Sequence, residues 1–214
     1  MSDVTWDALI CSIPHRHATL LELLADLDRQ WQPGFGALLY RDNLESTYGA
    51  KTQALLDASR AQYVSCIDDD DLLAPDGVAR VMAALQAQPD YVGFMVRWTT
   101  DGVLEAPVEH SLVHSGWTNR DDMLTRDITQ FNPIRREIAL LGAWEGGNGA
   151  EREWSNKVRA SGRCREQAWV PGDPVYWYRS SAADTFKTER FPLPAEKVPP
   201  VPSYPWLTVI AGSS

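Results

Sequence analysis

Up to about residue 90 the chain alternates between two textures. Ala8-Leu9-Ile10-Cys11-Ser12-Ile13 is a mostly apolar run that stops at Pro14, and Leu20, Leu24, Leu27 and Trp31 then recur at helical spacing, which predicts a strand followed by a helix. The pattern repeats with a strand at Ala37-Leu38-Leu39-Tyr40, a polar turn and a helix from about Gly49 to Ser59. It repeats again with a strand over 63–67 and a helix carrying Val78, Val81, Met82 and Leu85. Strands that alternate with helices imply an α/β fold whose mostly parallel sheet is covered on both faces. In such sheets ligands gather where loops leave the C-terminal ends of the strands, and Asp42 and Asp68–Asp71 both fall at such exits.

Beyond that point the texture changes. Tyr91-Val92-Gly93-Phe94-Met95-Val96-Arg97-Trp98 followed by the turn signal Thr100-Asp101-Gly102 predicts a strand or hairpin. Ile134–Leu141 and Glu151–Ala160 read as helices, and Pro174–Arg179 reads as a strand. Residues 192–205 contain six prolines, which rules out an ordinary helix or a central strand there. The expected organisation is one domain over residues 1–190 and an extended Pro-rich tail over 191–214, with no internal repeat.

Composition narrows the class. A chain of 214 residues with 44% hydrophobic content can bury a full core as a single domain. No apolar run approaches the roughly 18 residues of a membrane span. Met-Ser-Asp-Val-Thr-Trp-Asp lacks the basic region and apolar core of a signal peptide, so a cytoplasmic location is expected, with no membrane anchor. Cys11, Cys66 and Cys164 are odd in number and show no metal-ligand spacing, so they read as buried reduced thiols. The net charge of −9 is uneven: residues 1–130 hold 9 basic and 20 acidic side chains, and 131–214 hold 11 basic and 9 acidic. That balance argues against broad binding to a phosphate backbone, while the C-terminal half could still present a local basic surface to an anion.

The chemistry-bearing feature is Ile67-Asp68-Asp69-Asp70-Asp71-Leu72, four carboxylates directly after the strand-like Tyr63-Val64-Ser65-Cys66-Ile67. Neighbouring carboxylates at the mouth of a buried strand raise one another's pKa, and a bound cation relieves them. Oxygen-only ligands point to Mg²⁺ or Mn²⁺. The alternative is a solvated acidic turn that caps the next helix.

Several further segments follow in order: Tyr40-Arg41-Asp42-Asn43, Gly49-Ala50-Lys51-Thr52-Gln53, Asn132-Pro133-Ile134-Arg135-Arg136 and Gly149-Ala150-Glu151-Arg152-Glu153-Trp154. Together with the first strand and helix and the aspartate run, they resemble the family 2 glycosyltransferases of the GT-A fold, over roughly residues 8–180. The closest likeness is to small bacterial and bacteriophage-encoded members. The resemblance implies a Rossmann-like nucleotide-sugar half, about residues 1–98, and a smaller acceptor half, about 99–190. It also implies an inverting transfer from a nucleotide-diphosphate sugar, UDP-linked or another, assisted by Mn²⁺ or Mg²⁺.

Carried over residue by residue, the resemblance sets Asp68 near the ribose or a metal-bound water and Asp70 on the metal, with Asp69 beside them on the donor side. Asp71 would orient the following loop or cap the helix beginning near Pro75 and Asp76. Asp42 resembles the carboxylate that accepts from the nucleotide base, and Lys51 the cation beside the ribose or diphosphate. Asp42-Asn43 is equally a good turn pair, and Lys51 could be a solvated helix residue.

An inverting transfer needs a general base, which the family takes from a Glu-Asp pair at a helix start. Here Ala150-Glu151 stands in that place, which makes Glu151 the candidate, with Glu153 and Glu145 as possible substitutes and helix stabilisation as the other role open to Glu151. The family's C-terminal metal-binding His is replaced by Ser180-Ser181. His110 and Trp154 fall on the acceptor side, as do Trp98, Trp117 and Trp144, of which one or two are expected to touch ligand. The acceptor stays open among a hydroxymethylated pyrimidine in DNA, a glycan and a protein. Two other classes remain: a degenerate module that binds a nucleotide sugar without transferring it, and a nucleotidyltransferase. The second is disfavoured because Pro14-His15-Arg16-His17 stands where a Gly-rich triphosphate loop would follow the first strand.

Overall fold

The computed structural model describes residues 4–119, 123–147, 149–181 and 198–211. Its elements run β1 (Trp6–Ser12), a 3-10 turn (Pro14–Arg16), α1 (His17–Gln30), β2 (Phe35–Arg41), α2 (Tyr48–Ala58), β3 (Tyr63–Cys66), β4 (Leu72–Leu73) and α3 (Gly77–Leu85). There follow β5 (Tyr91–Thr100), β6 (Val103–His110), β7 (Thr118–Asn119), β8 (Leu124–Arg126), β9 (Ile134–Arg135), α4 (Arg136–Ala139) and α5 (Ala150–Ser161). The last are β10 (Gln167–Trp169), β11 (Tyr176–Ser180) and β12 (Leu207–Ala211).

The described strands form one sheet in the order β12-β2-β1-β3-β9-β5-β6-β8-β7, with β10 and β11 pairing along β5 and β4 along β11. The first four on that path are mutually parallel, so β1, β2 and β3 all release their chains at the same edge. Continuous apolar strands are explained by burial on both faces. Ala8 and Ile10 point into a core shared with Leu20, Leu24 and Leu27 of α1 and with Val78, Val81 and Leu85 of α3. Leu9 points the other way, to Leu55 and Leu56 of α2 and to Trp154 and Val158 of α5. Each of these leucines, fully removed from water, contributes about 1.5–3 kcal/mol.

Two expectations are corrected. Ile134–Leu141 is not one helix: Ile134 and Arg135 are a short strand between β3 and β5, where Ile134 pairs antiparallel with Val64 and Tyr91, and only Arg136–Ala139 are helical. Packing in the sheet overrides local helix propensity there. The tail also does more than lie on the surface. Residues 192–197 are outside the described residues, but Trp206 is buried against Phe35, and β12 adds a parallel edge strand alongside β2. Leu207-Thr208-Val209-Ile210 follows the last proline, so its amides are free to pair. The two expected halves share this sheet, since β5 pairs with β9 at its start and with β6 and β11 farther on. No described helix is long and apolar enough to cross a membrane.

Candidate active site

The parallel exits open into a cleft of about 1250 Å³. Drug-sized pockets run to roughly 300–1,000 Å³, so this one has room for two reactants. One end is built by the exits of β1, β2 and β3. The other is built by β5, β6, β8 and β11, and α5 stands between them.

At the first end, β3 runs into Ile67 and then the aspartates, which do four different things. Asp71 is fully buried and accepts from the Tyr176 hydroxyl at 2.7 Å and from the Arg179 amide at 2.7 Å. Arg179 Nε in turn donates to the Asp70 carbonyl at 2.6 Å. Asp71 therefore moors the loop to β11; it does not cap α3, whose N-cap Asp76 makes no side-chain cap bond. Asp69 is buried and accepts from Arg16 at 3.0 Å, and the same Arg16 nitrogen lies 2.9 Å from Asp70. Asp68 lines the cleft 3.5 Å from the Tyr48 hydroxyl.

Burial first, then the fields of Asp70 and Asp69, push the Asp68 carboxyl up to about 7. Asp69 is raised chiefly by burial, with Arg16 pulling it back. Asp71 is raised well above the carboxylate range, again chiefly by burial. The solvated acidic turn is thus not what forms. Arg16 was missed in the sequence, although its place at the exit of β1 is the same signal that picked out Asp42 and Asp68.

Asp42 and Lys51 come together as a buried ion pair. Asp42 also accepts from the amides of Leu44 at 3.2 Å and Ser46 at 2.8 Å, so it is the turn-forming residue as well. Those bonds hold Leu44 in the left-handed region at φ 67°, an uncommon state for leucine. The cleft wall here is made by Asn43, Leu44 and Lys51, with the Asp42 carboxylate behind them. Lys51 is not a solvated helix residue: its ammonium also donates to the Ser12 carbonyl at 3.4 Å. Thr47 caps α2 by accepting from the Ala50 amide at 3.2 Å, which fixes the helix start from which Tyr48 and Lys51 project.

Across the cleft, Glu151 lines the wall from the first turn of α5, and its field contributes to the raised Asp68. The two rivals lie elsewhere: Glu153 is exposed on another helix face, and Glu145 is an exposed partner of Lys157 at 3.3 Å. Gly149 takes φ 87°, the left-handed turn that starts α5. Gly49 packs so closely on the approach loop that a β-carbon there would come within 2.7 Å of the Gly146 carbonyl. Gly49 N–H donates to that carbonyl at 3.0 Å, which ties α2 to the loop that delivers Glu151.

His110 lines the far end, buried, with Nδ1 2.7 Å from Asn132 Oδ1 and its ring stacked near Phe94 and Phe131. Burial holds its pKa down to about 3, so it is a neutral ring and a weak base at neutral pH. Trp154 is not an acceptor contact: it is buried, donates to the Ala139 carbonyl at 3.0 Å and stacks on Trp144 at 5.0 Å. Trp98 and Trp117 do line the cleft. Cys11 also lines it, but burial pushes its thiol up to about 12, which leaves it inert.

The donor set suits a divalent cation in charge if not in number. Asp68, Asp69, Asp70 and Asp71 face Arg16 and Arg179, so carboxylates outnumber guanidinium groups before any ligand enters. Among the described residues no three His, Cys, Asp or Glu side chains form a ready ligand set. A cation at Asp70 would draw its remaining ligands from water or a bound anion.

No protein-family model and no curated protein matches the sequence. Solved structures do match. S. aureus TarS 1–349 in complex with UDP-GlcNAc superposes with a TM-score of 0.65 at 9% identity, over 88% of this chain and 62% of that one. TarS 1–349 alone gives 0.61 at 10% identity, over 82% and 60%. Its complex with UDP gives 0.59 at 11% identity, over 86% and 63%. This chain thus spans somewhat under two thirds of the TarS 1–349 structures. The architecture is the GT-A fold: a large, mostly parallel sheet flanked by helices, shared with a protein whose structure holds UDP-GlcNAc.

Proposed function

We propose that the chain is an inverting glycosyltransferase that moves a sugar from a nucleotide-diphosphate sugar, UDP-linked, to an acceptor hydroxyl. One observation carries the reading: in a GT-A fold, one cleft joins the aspartate run at the parallel strand exits to Glu151 on the opposite wall. The UDP-GlcNAc in the TarS complex supports a nucleotide-sugar donor.

The donor diphosphate lies at the acidic end. Asp70, with Asp68 beside it, would hold Mn²⁺ or Mg²⁺, which would supply charge neutralisation for the departing diphosphate. The Asn43–Thr47 wall and Lys51 receive the nucleoside. Glu151 accepts the proton of the acceptor hydroxyl as its oxygen attacks the anomeric carbon. The bond from that carbon to the diphosphate oxygen breaks, and the nucleoside diphosphate leaves with the electron pair. Arg16, held on Asp69 and Asp70, fixes the carboxylate geometry at that point.

The test is release of free nucleotide from a panel of nucleotide sugars with Mn²⁺, for the wild type and for Asp70→Asn. Loss of a key electrostatic stabiliser predicts at least about a 10²-fold fall in rate with folding retained. Near wild-type turnover in Asp70→Asn, together with equal activity in EDTA, would remove the metal assignment. Binding without turnover would identify a degenerate nucleotide-sugar module instead.

A further inference from the structure

The part of the cleft built by β5, β6, β8 and β11 has a chemistry of its own. Its floor is Val96, Val108 and Leu124, all buried, and Trp98, Phe131 and Tyr178 pack above them. A sugar ring could stack its C–H face here, but its hydroxyls need partners that this apolar floor does not supply. Arg126 also lines the cleft here, its guanidinium 5.3 Å from the centre of the Trp117 ring.

Arg126 uses a single nitrogen, Nη1, for two carbonyls, those of Thr118 and Thr125, each at 2.9 Å. Among the described residues its Nε and Nη2 form no hydrogen bond and it has no carboxylate partner. Arg152, one residue from Glu151 on α5, is exposed and likewise forms no ion pair among the described residues. The two cations feel each other, since after burial the field of Arg152 is what lowers the Arg126 pKa. Two other basic residues of α5 are engaged: Arg159 is bidentate on Asp127, and Lys157 is on Glu145. That leaves Arg126 and Arg152 as basic side chains with N–H groups to offer an anion.

We infer that the acceptor is a phosphate ester, its phosphate held by Arg126 and Arg152 and its apolar, planar body lying in the trough under Trp98 and Tyr178. A guanidinium with two free N–H groups matches two phosphate oxygens, and the second cation adds charge. The inference rests on the transferase reading, in that it assigns the second half of the same cleft.

The test is binding of phenyl phosphate, phenol and inorganic phosphate, followed by protein NMR or calorimetry, each with and without saturating UDP and Mn²⁺. Phenyl phosphate is expected to bind tighter than either part by roughly tenfold or more. Arg126→Gln should weaken it by roughly tenfold or more, the scale of a charged hydrogen bond, with Arg126→Lys intermediate. Arg152→Gln, on an exposed site that leaves the fold intact, should weaken it severalfold, and UDP affinity should stay unchanged in all three variants. Phenol binding as tightly as phenyl phosphate, full affinity in both Gln variants, or displacement of phenyl phosphate by UDP would each overturn the assignment. Failure of UDP itself to bind would count against the donor reading alone, because the arm without UDP still reads the phosphate site.

Discussion

His110 makes the acid stability of this protein calculable. The ring is buried, Nδ1–H donates to Asn132 Oδ1 at 2.7 Å, and Thr129 Oγ1 donates to the same oxygen at 2.6 Å. Asn132 is fixed in turn by donating to the Val92 carbonyl at 2.8 Å. Phe94 and Phe131 stack near the imidazole at 6.2 and 6.4 Å, and among the described residues no carboxylate pairs with it, while the field of Arg126 adds to the cost of charging it. Its folded pKa of about 3 stands against 6.5 for an exposed imidazole.

The sign follows from linkage. The group is depressed in the folded state, so its contribution is intact above the unfolded value and is lost as pH falls from about 6.5 towards 3, where only the unfolded chain takes up the proton. At about pH 4.5 the loss amounts to about 2.7 kcal/mol, against about 0.2 kcal/mol at pH 7, from 1.36 kcal/mol per pKa unit. His110→Gln removes the titration. Denaturant unfolding of both proteins at pH 7 and about 4.5 should show the wild type losing roughly 2.5 kcal/mol more than the variant. The comparison cancels the other carboxylates, which titrate in both. Parallel losses in the two proteins would refute the reasoning.

Two further outcomes are expected. Glu151→Gln keeps the shape and removes the basicity, so turnover should fall by roughly 10²–10⁴ while donor affinity stays within a few-fold, measured by single-turnover kinetics beside UDP titration; a matched loss of donor binding would make Glu151 structural. Lys51→Met leaves the Asp42 carboxylate buried without its ammonium and should destabilise the fold by about 3–5 kcal/mol in denaturant unfolding; a loss under about 1 kcal/mol, the scale of a surface pair, would mean the pair is solvated.

What was legible in the sequence was the periodic part. The strands and helices up to α3 follow from apolar runs and 3.6-residue spacing, because each face of the sheet has its own core and both print themselves on the chain. The exits of β1 to β3 then locate the acidic end without further information. What was not legible depends on long-range partners. Asp71 reads like its three neighbours until Tyr176 and Arg179 are brought to it from more than a hundred positions away. Trp154 and Trp98 are the same residue type, and only tertiary packing sends one to the core and the other to the cleft. The strand at Leu207–Ala211 hides behind a Pro-rich stretch whose composition says tail, and its pairing is decided by the free edge of β2.

The arrangement explains how so acidic a loop stays in place. Four adjacent carboxylates repel, and a flexible loop would relax by turning them into water. Here the chain is held at two points the repulsion cannot easily move: Asp71 by the buried Tyr176 hydroxyl and a strand amide, and Asp69 by Arg16 at the exit of β1. Asp70 lies between these moorings and Asp68 just before them, and both line the cleft together with Asp69. The cost is stored as the raised proton affinity of Asp68, and it is relieved by any cation that enters with an anionic ligand. On β8 the sign is reversed: Arg126 lines the cleft and, among the described residues, has no carboxylate partner. Glu151, in the first turn of α5, lines the same cleft and its field already reaches Asp68, so a cation entering beside the aspartates lowers the repulsion that both carboxylates feel.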